Sequence, residues 1–395
     1  RARGLHHVPR FRAAVIRPLV VLGATGSIGT QTLEVADSLE LEVAVLAARR
    51  PSDELAEICR KYPGADIVVA GGSSTEREGF RSLVGSRVAF GPEEVVAAAA
   101  EPGRVIVNGI VGSAGLRATV SALGSGNRVA LANKESLVAG GPVVTKVLAE
   151  NGGELVPVDS EHSALYQCLV GEEAGTVSRL VLTASGGPFR GRTRDSLQSV
   201  TPEEALRHPT WDMGRRITID SATMFNKGLE VVEAHYLFGI PYDRIDVVIH
   251  PQSILHSAVE FVDGSWKGHL GFPDMRIPIQ YALTSPDRLQ SPVGQFDLAG
   301  RSLTFEKPDE GVFPAIGIAY EAGRRGGSAP AVMNAADEVA VEAFLQRRLG
   351  FLGISEVVSR VVDEVEWREV ETVEDVISAD HEAREAATAM IAGSC

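Results

Sequence analysis

Apolar residues in this chain fall in short runs separated by stretches of helical period, and that alternation predicts the fold. Residues 18–22 (Pro-Leu-Val-Val-Leu) read as a buried strand, residues 30–39 as a helix and residues 41–48 as a second strand. Together they form a β-α-β unit of about thirty residues. Residues 66–70, 105–108 and 128–132 read as third, fourth and fifth strands, with helical stretches at 92–100 and 116–123 between them. Strands alternating with helices predict an α/β fold built on an N-terminal Rossmann-like, doubly wound parallel sheet, with ligands at the carboxyl ends of its strands.

The character changes after residues 156–158, which run into Asp159. Strand-like runs at 180–184, 245–249 and 257–262 predict a central α/β catalytic domain. Beyond Pro286 the sequence is spaced by proline and glycine, and residues 315–323, 334–349, 354–365 and 372–392 carry the apolar stripes of amphipathic helices. The expected division is a disordered tail over 1–16, a cofactor domain over 17–158, a catalytic domain over 159–285 with a lid near 200–215, a linker over 286–311, and a helical domain over 312–395 that supports by packing. Asn334-Ala335-Ala336-Asp337-Glu338 reads as an N-cap with acidic first-turn residues rather than a second metal site.

The first strand runs directly into Gly23-Ala24-Thr25-Gly26-Ser27-Ile28-Gly29. Glycines there permit a tight turn, close approach of backbone N–H groups to a pyrophosphate, and an anion at the positive end of a helix. Where an acidic residue would receive the ribose 2′-hydroxyl of NADH, the chain has Arg49 and Arg50. Two guanidinium groups suit a 2′-phosphate, so NADPH is the expected cofactor. Asn133-Lys134-Glu135-Ser136 falls at another strand end, where Asn133 and Glu135 would face the cofactor and Lys134 the substrate; Asn133 would equally suit a helix cap.

Asp159-Ser160-Glu161 places two carboxylates on one face if the segment is an extended strand. On a helix, Asn226 and Lys227 share a face with Glu230, which brings a third carboxylate beside an amide and an ammonium. Oxygen-only ligation of this kind suits Mg²⁺ or Mn²⁺. Ser185, in the Ser-Gly-Gly after a predicted strand, begins a phosphate nest, and Ser221, Asn226 and Lys227 add further donors for a phosphomonoester. Trp211 and Met213, in a proline-punctuated loop with His208, are expected to cover a ligand. His250 and His256 are six apart on a strand-to-turn segment, which does not match zinc spacing.

Composition adds exclusions. A chain of 395 residues, 44% hydrophobic and 23% charged, has ordinary globular usage and room for more than one domain. It has no apolar run of transmembrane length, so no membrane partner is expected, and its net charge of −14 argues against a nucleic-acid partner. Cys59, Cys168 and Cys395 show no paired spacing, which fits the cytoplasm, or a plastid should the basic stretch Arg1 to Ile16 be a transit segment.

Seven motifs then carry a resemblance: Gly-Ala-Thr-Gly-Ser-Ile-Gly, Leu-Ala-Asn-Lys-Glu-Ser-Leu, Pro-Val-Asp-Ser-Glu-His-Ser-Ala, Ala-Ser-Gly-Gly-Pro-Phe, His-Pro-Thr-Trp-x-Met-Gly, Asp-Ser-Ala-Thr-Met-x-Asn-Lys-Gly-Leu-Glu and His-Pro-Gln-Ser. In this order, from about Pro18 to the C-terminal helices, they resemble the 1-deoxy-D-xylulose 5-phosphate reductoisomerase family of the non-mevalonate isoprenoid pathway. The resemblance implies metal-dependent rearrangement of the ketose phosphate and its reduction by NADPH to 2-C-methyl-D-erythritol 4-phosphate, in a homodimer using Mg²⁺, Mn²⁺ or Co²⁺. It implies Asp159, Glu161 and Glu230 as metal ligands, and Lys134, Ser160, Trp211 and Met213 around the substrate backbone. Ser185, His208, Ser221, Asn226 and Lys227 would bind phosphate, while Thr25, Gly26, Ser27, Ile28, Arg49, Arg50, Asn133, Glu135 and Gly214 would contact NADPH. The chain departs from the family at Ala48, often Gly, and at Arg49-Arg50, often Lys-Asn. Two other classes predict indifference to chelators: an NADP-dependent dehydrogenase of another phosphorylated compound, and a nucleotide-binding sensor without catalysis.

Overall fold

The computed structural model describes residues 17–211, 213–291 and 293–393, so the expected tail over 1–16 and Cys395 lie outside the described residues. Seven parallel strands form the first sheet: β1 (Leu19–Leu22), β2 (Val43–Ala48), β3 (Asp66–Val69), β4 (Val88–Phe90), β5 (Val105–Asn108), β6 (Arg128–Leu131) and β7 (Glu154–Pro157). Their order is β4-β3-β2-β1-β5-β6-β7. A parallel sheet needs cover on both faces, and successive side chains of a strand serve opposite faces. Leu19 and Val21 accordingly pack into one core and Val20 and Leu22 into another. The first core takes Leu33 from the helix Ser27–Ser38 and Ile279, Ala282 and Leu283 from the helix Arg276–Thr284. The second takes the helices Pro92–Ala100, Leu116–Gly124 and Lys134–Asn151.

A second, mixed sheet of β8 (Val177–Ala184), β9 (Ile245–Ile249), β10 (Leu255–Phe261) and β11 (Trp266–Leu270) has the order β11-β10-β8-β9, with β8 and β9 parallel and β10 antiparallel to both its neighbours. The helices Ala315–Arg325, Ala329–Leu345, Phe351–Glu364 and Val373–Gly393 follow and share the largest core with this sheet and the helix Phe225–Phe238. Residues 286–311 lie partly against the sheet, through an antiparallel bridge between Ile249 and Glu306. No helix among the described residues is long and apolar enough to cross a membrane.

Two local expectations are corrected. Asp159 and Glu161 are not on a strand: β7 ends at Pro157, and Asp159 is the N-cap of the helix Ser160–Leu169, its carboxylate accepting the Glu161 N–H at 3.3 Å. An acidic cap closing its own first turn competes with extension, and the carboxylate pair arises from the helix start instead. Asn334 is not an N-cap, because its helix begins at Ala329 with a proline in the first turn, leaving Asn334 and Asp337 buried inside. The three-residue β4 and the exposed edge strand β11 have no counterpart in the sequence reading, because neither carries a run of consecutive buried apolar residues.

Gly29 shows how tightly the first turn packs: a Cβ there would lie 2.2 Å from the Gly23 carbonyl oxygen and 2.7 Å from the Ala24 Cα. Gly29→Ala should therefore cost about 1–3 kcal/mol of stability, the range for overpacking a dense site. Urea unfolding measures this, and an unchanged midpoint would contradict the packing described.

Candidate active site

The strand order reverses between β1 and β5, whose following segments diverge and leave a crevice at their carboxyl ends. A cavity of about 430 Å³ opens there. Its walls come from Gly26, Ser27 and Ile28 after β1, residues 109–111 after β5, and Asn133, Lys134 and Glu135 after β6. Opposite them stand Asp159, Ser160 and Glu161, Ser185, His208, Trp211, Met213 and Gly214, Ser221, Asn226, Lys227 and Glu230. Of the residues singled out in the sequence, Thr25, Ala48, Arg49 and Arg50 do not line this cavity. Ala48 is buried at the end of β2 and the two arginines follow it, exposed, at the rim of the sheet.

The dinucleotide end is shaped by backbone. Gly23 has φ +87°, and a Cβ on it would stand 2.7 Å from the Gly109 carbonyl oxygen. Gly26 caps the helix Ser27–Ser38 without a side-chain hydrogen bond, so first-turn N–H groups face the crevice as an anion site. Asn133 is 2% exposed and does cap its helix, accepting the Ser136 N–H at 3.2 Å, while its amide donates to the Ile110 and Gly112 carbonyls at 2.6 and 2.8 Å. One side chain thus fixes both the helix start and the loop after β5.

At the other end, charge is concentrated and buried. Lys134 Nζ pairs with Asp159, lies 3.2 Å from Glu230 Oε1 and donates to Asn226 Oδ1 at 2.9 Å. Lys227 Nζ pairs with Glu230 and lies 3.2 Å from Glu161 Oε1. Asn226 Nδ2 donates to Glu230 Oε1 at 2.6 Å, and Ser160 Oγ to Glu161 Oε2 at 2.5 Å. Burial opposes the charge on Lys134, yet Asp159 and Glu230 hold it well above the usual lysine value. Asp159 is likewise held well below the usual carboxylate range by Lys134 and His162 against the effect of burial. Glu161 differs: burial, with Glu230 and Asp159 adding, pushes it up to about 7 despite Lys227.

Asp159, His162 and Glu230 offer ligand atoms within 4.8 Å of one another, and this trio includes His162 rather than Glu161. Both ring nitrogens of His162, however, face oxygen acceptors: Nε2 donates to the Glu230 carbonyl at 2.9 Å, and Nδ1 is 3.0 Å from Glu233 Oε2 and 3.4 Å from Asp159 Oδ1. Glu233 and Asp159 outweigh burial and push its imidazole up to about 9. With Nε2 bonded to a carbonyl and Nδ1 turned to two carboxylates, the ring is oriented as a hydrogen-bonding partner of the acidic cluster. The oxygen donors of Asp159, Glu161 and Glu230 remain a set that suits a hard divalent ion.

Between the two ends lie His208 and the turn that follows β8. His208 Nδ1 accepts the Thr210 and Trp211 N–H groups at 3.1 and 2.9 Å, so its Nε2–H is turned to Ser185 Oγ at 3.1 Å. Burial lowers the pKa of His208, keeping it neutral in this role. Gly186 and Gly187 have φ of +87° and +68°, and a Cβ on Gly187 would meet the Ser221 carbonyl at 2.8 Å. That contact brings Ser185 and Ser221 to one side of the cavity. Met224, at φ +69°, turns the chain from the helix Arg215–Thr223 into the helix Phe225–Phe238, so that Asn226 and Lys227 open its first turn. His250 closes its own turn, accepting the Ile254 N–H at 3.1 Å and donating to the Thr304 carbonyl at 3.0 Å, and is not available as a ligand.

Sequence reading missed Arg216, Asp220 and Met275 and considered His256 only as a zinc ligand, yet all four line the cavity. Arg216 and Asp220 meet Asp337 and Glu338, over a hundred positions away. Burial pushes Asp220 well above the usual carboxylate range and Asp337 up to about 6. Four-residue spacing of Arg216 and Asp220 on one helix was the only signal available for them.

The fold and cleft define a class, a dinucleotide-dependent α/β oxidoreductase whose cavity also presents a donor set for a divalent cation. Comparison with known proteins then places it within that class. Residues 19–141 match the model of 1-deoxy-D-xylulose 5-phosphate reductoisomerase, and residues 155–238 and 270–386 match two models of the C-terminal domain of that enzyme. The reductoisomerase of Paraburkholderia phymatum is 49% identical over 385 residues, covering 95% of this chain and 96% of the relative. That of Desulforamulus reducens is 46% identical over 384 residues, covering 95% and 99%. Among solved structures, the Zymomonas mobilis enzyme in complex with NADPH has a TM-score of 0.88 at 41% identity, covering 95% of this chain and 99% of that one. A DOX-P reductoisomerase in complex with NADPH, fosmidomycin and magnesium has a TM-score of 0.89 at 36% identity, covering 95% and 98%. The chain belongs to the 1-deoxy-D-xylulose 5-phosphate reductoisomerase family.

His256 lies near Trp211, ring centroids 6.5 Å apart and tilted by 54°, and burial lowers its pKa to about 4. A folded-state value depressed below the unfolded one means the unfolded chain takes up the proton first, so stability is lost as pH falls from about 6.5 towards 4. Between pH 7 and pH 5 this group should remove about 2 kcal/mol. Urea unfolding of His256→Gln should show a shallower acid loss by that amount; parallel profiles would contradict it.

Proposed function

We infer that this chain rearranges 1-deoxy-D-xylulose 5-phosphate and reduces the product with NADPH to 2-C-methyl-D-erythritol 4-phosphate, in the non-mevalonate isoprenoid pathway. The observation that carries the reading is the meeting of Asp159, Glu161 and Glu230 with Lys134 and Lys227 inside a cavity that opens from a dinucleotide-type strand crossover. We assign residues 17–158 to NADPH binding, 159–285 to chemistry with a lid near 200–215, 286–311 to a linker and 312–395 to helical support.

Asp159, Glu161 and Glu230 would hold a divalent cation, which supplies Lewis-acid polarisation of a substrate carbonyl and eases loss of a neighbouring hydroxyl proton. NADPH supplies the hydride. The residues of the chain orient and neutralise. Lys134 and Lys227 carry ammonium charge into the same pocket, so that a bound anion meets compensating charge already in place. Ser185, His208, Ser221, Asn226 and Lys227 would receive the phosphate, and this remote binding positions the small carbon skeleton for both steps. Trp211 and Met213 would exclude water when the lid covers the ligand. Gly26, Ser27, Ile28, Asn133, Glu135 and Gly214 would hold the cofactor, with Thr25, Ala48, Arg49 and Arg50 at its outer, adenosine end.

Two further features belong to this reading. A homodimer is supported by the open edge of the second sheet, where β11 exposes Trp266 and Leu270, with Val262 before it 69% exposed. Cytoplasmic action is supported by Cys59 and Cys168, both free and buried.

NADPH oxidation should depend on 1-deoxy-D-xylulose 5-phosphate and should stop with EDTA; oxidation indifferent to the chelator would favour a plain dehydrogenase. Glu230→Gln should lower metal-dependent turnover by at least about a hundredfold, the scale for lost transition-state charge stabilisation. Lys227→Ala should lower turnover by at least about tenfold, while the NADPH dissociation constant stays within about twofold; equal loss of both would place Lys227 outside the substrate site. In sedimentation the chain should run at twice the 41.9 kDa protomer mass, and a monomer at micromolar concentration would remove the dimer.

A further inference from the structure

Arg216 stands where three parts of the molecule meet. It lies in the first turn of the helix Arg215–Thr223, directly after the cavity-lining Met213 and Gly214, with its side chain 16% exposed. Its guanidinium donates to Glu135 Oε1 at 3.1 Å on the helix after β6, to Glu338 Oε1 at 2.8 Å and to Asn334 Oδ1 at 3.1 Å, the last two on the C-terminal helix Ala329–Leu345. The second oxygen of Glu338 is held by Arg384 on the last helix. On the cofactor side, Glu135 Oε2 accepts from Asn133 Nδ2 at 3.0 Å, the same amide that holds the loop after β5. The Glu338 carboxylate sits against the backbone of that loop: a Cβ built on Gly112, at φ +76°, would lie 2.7 Å from Glu338 Oε1.

Burying such a cluster is a poor way to gain stability, since well-packed apolar side chains would serve as well; its use is to fix one arrangement. A planar fork with fixed donor directions can tie three helices at once, which a lysine cannot do. We propose that Arg216 is a positioning residue for the NADPH site. It acts through Glu135 and, by way of Glu338, on the loop 109–112, so that the C-terminal helices set the shape of the cofactor end of the cleft. The inference rests on the cofactor site proposed above.

The test compares the wild type with Arg216→Lys and Glu338→Gln as full-length chains, measuring Tm, NADPH binding by fluorescence, and KM for NADPH and for the ketose phosphate. Arg216→Lys should raise the NADPH dissociation constant and KM about tenfold, and Glu338→Gln should shift them in the same direction, with KM for the ketose phosphate unchanged within about twofold. A lower Tm with reduced kcat and both KM values unchanged would reflect only loss of folded enzyme and would overturn the proposal, as would wild-type NADPH binding in both variants. Should Arg216→Lys fail to fold, Glu338→Gln decides alone by the same readout. Failure of the wild type itself to bind NADPH would sink the cofactor reading instead, and is distinguishable in the first titration.

Discussion

The pairing of three carboxylates, one buried and two partly so, with two buried ammonium groups is the constraint on which the rest of this structure depends. Removing charges from water costs several kcal/mol each unless they are paired and hydrogen-bonded. Lys134 and Glu230 are at most 5% exposed, so neither could sit where it does without the other's neighbourhood. The partners come from three separated segments: Lys134 from the helix after β6, Asp159 and Glu161 from the helix after β7, and Asn226, Lys227 and Glu230 from the helix Phe225–Phe238. Each is in the first turn of its helix, at its N-cap or a turn further along. Helix starts are where backbone N–H groups are free, so local electrostatics favour the anions gathered there. The cluster and the three helix ends hold one another in place.

Much of this was legible in the sequence, for physical reasons that differ by element. Five strands of the first sheet are visible in the sequence because both of their faces are buried, which leaves runs such as residues 19–22 without polar interruption. The convergence of Asp159 with Glu161 was anticipated on the wrong local grounds. Two-residue spacing on a strand, and an N-cap followed by the second residue of the first helical turn, both bring carboxylates together, and only the backbone after Pro157 distinguishes them. Asn226 and Glu230 were simpler, since four-residue spacing on a helix has one outcome.

What remained illegible depends on partners remote in sequence. Arg216 and Asp220 carry no local signal beyond their four-residue spacing, and Asn334 reads as a cap with Asp337 in its first turn, whereas the helix starting at Ala329 buries Asn334 and Asp337 where Arg216 meets them. Their burial gives the C-terminal helices a polar connection to the cleft as well as an apolar one. The same reasoning applies to His162: it lies three residues from Asp159, but Glu233, buried and facing it from another helix, takes its Nδ1 side at 3.0 Å.

Crystals soaked with Mn²⁺ and examined by anomalous scattering test the central pairing most directly. An anomalous peak within about 2.3 Å of carboxylate oxygens from Asp159, Glu161 and Glu230, with both lysines displaced from their carboxylate contacts, is the predicted result. A peak bound through the His162 ring in place of Glu161, or a peak outside the cavity, would contradict it.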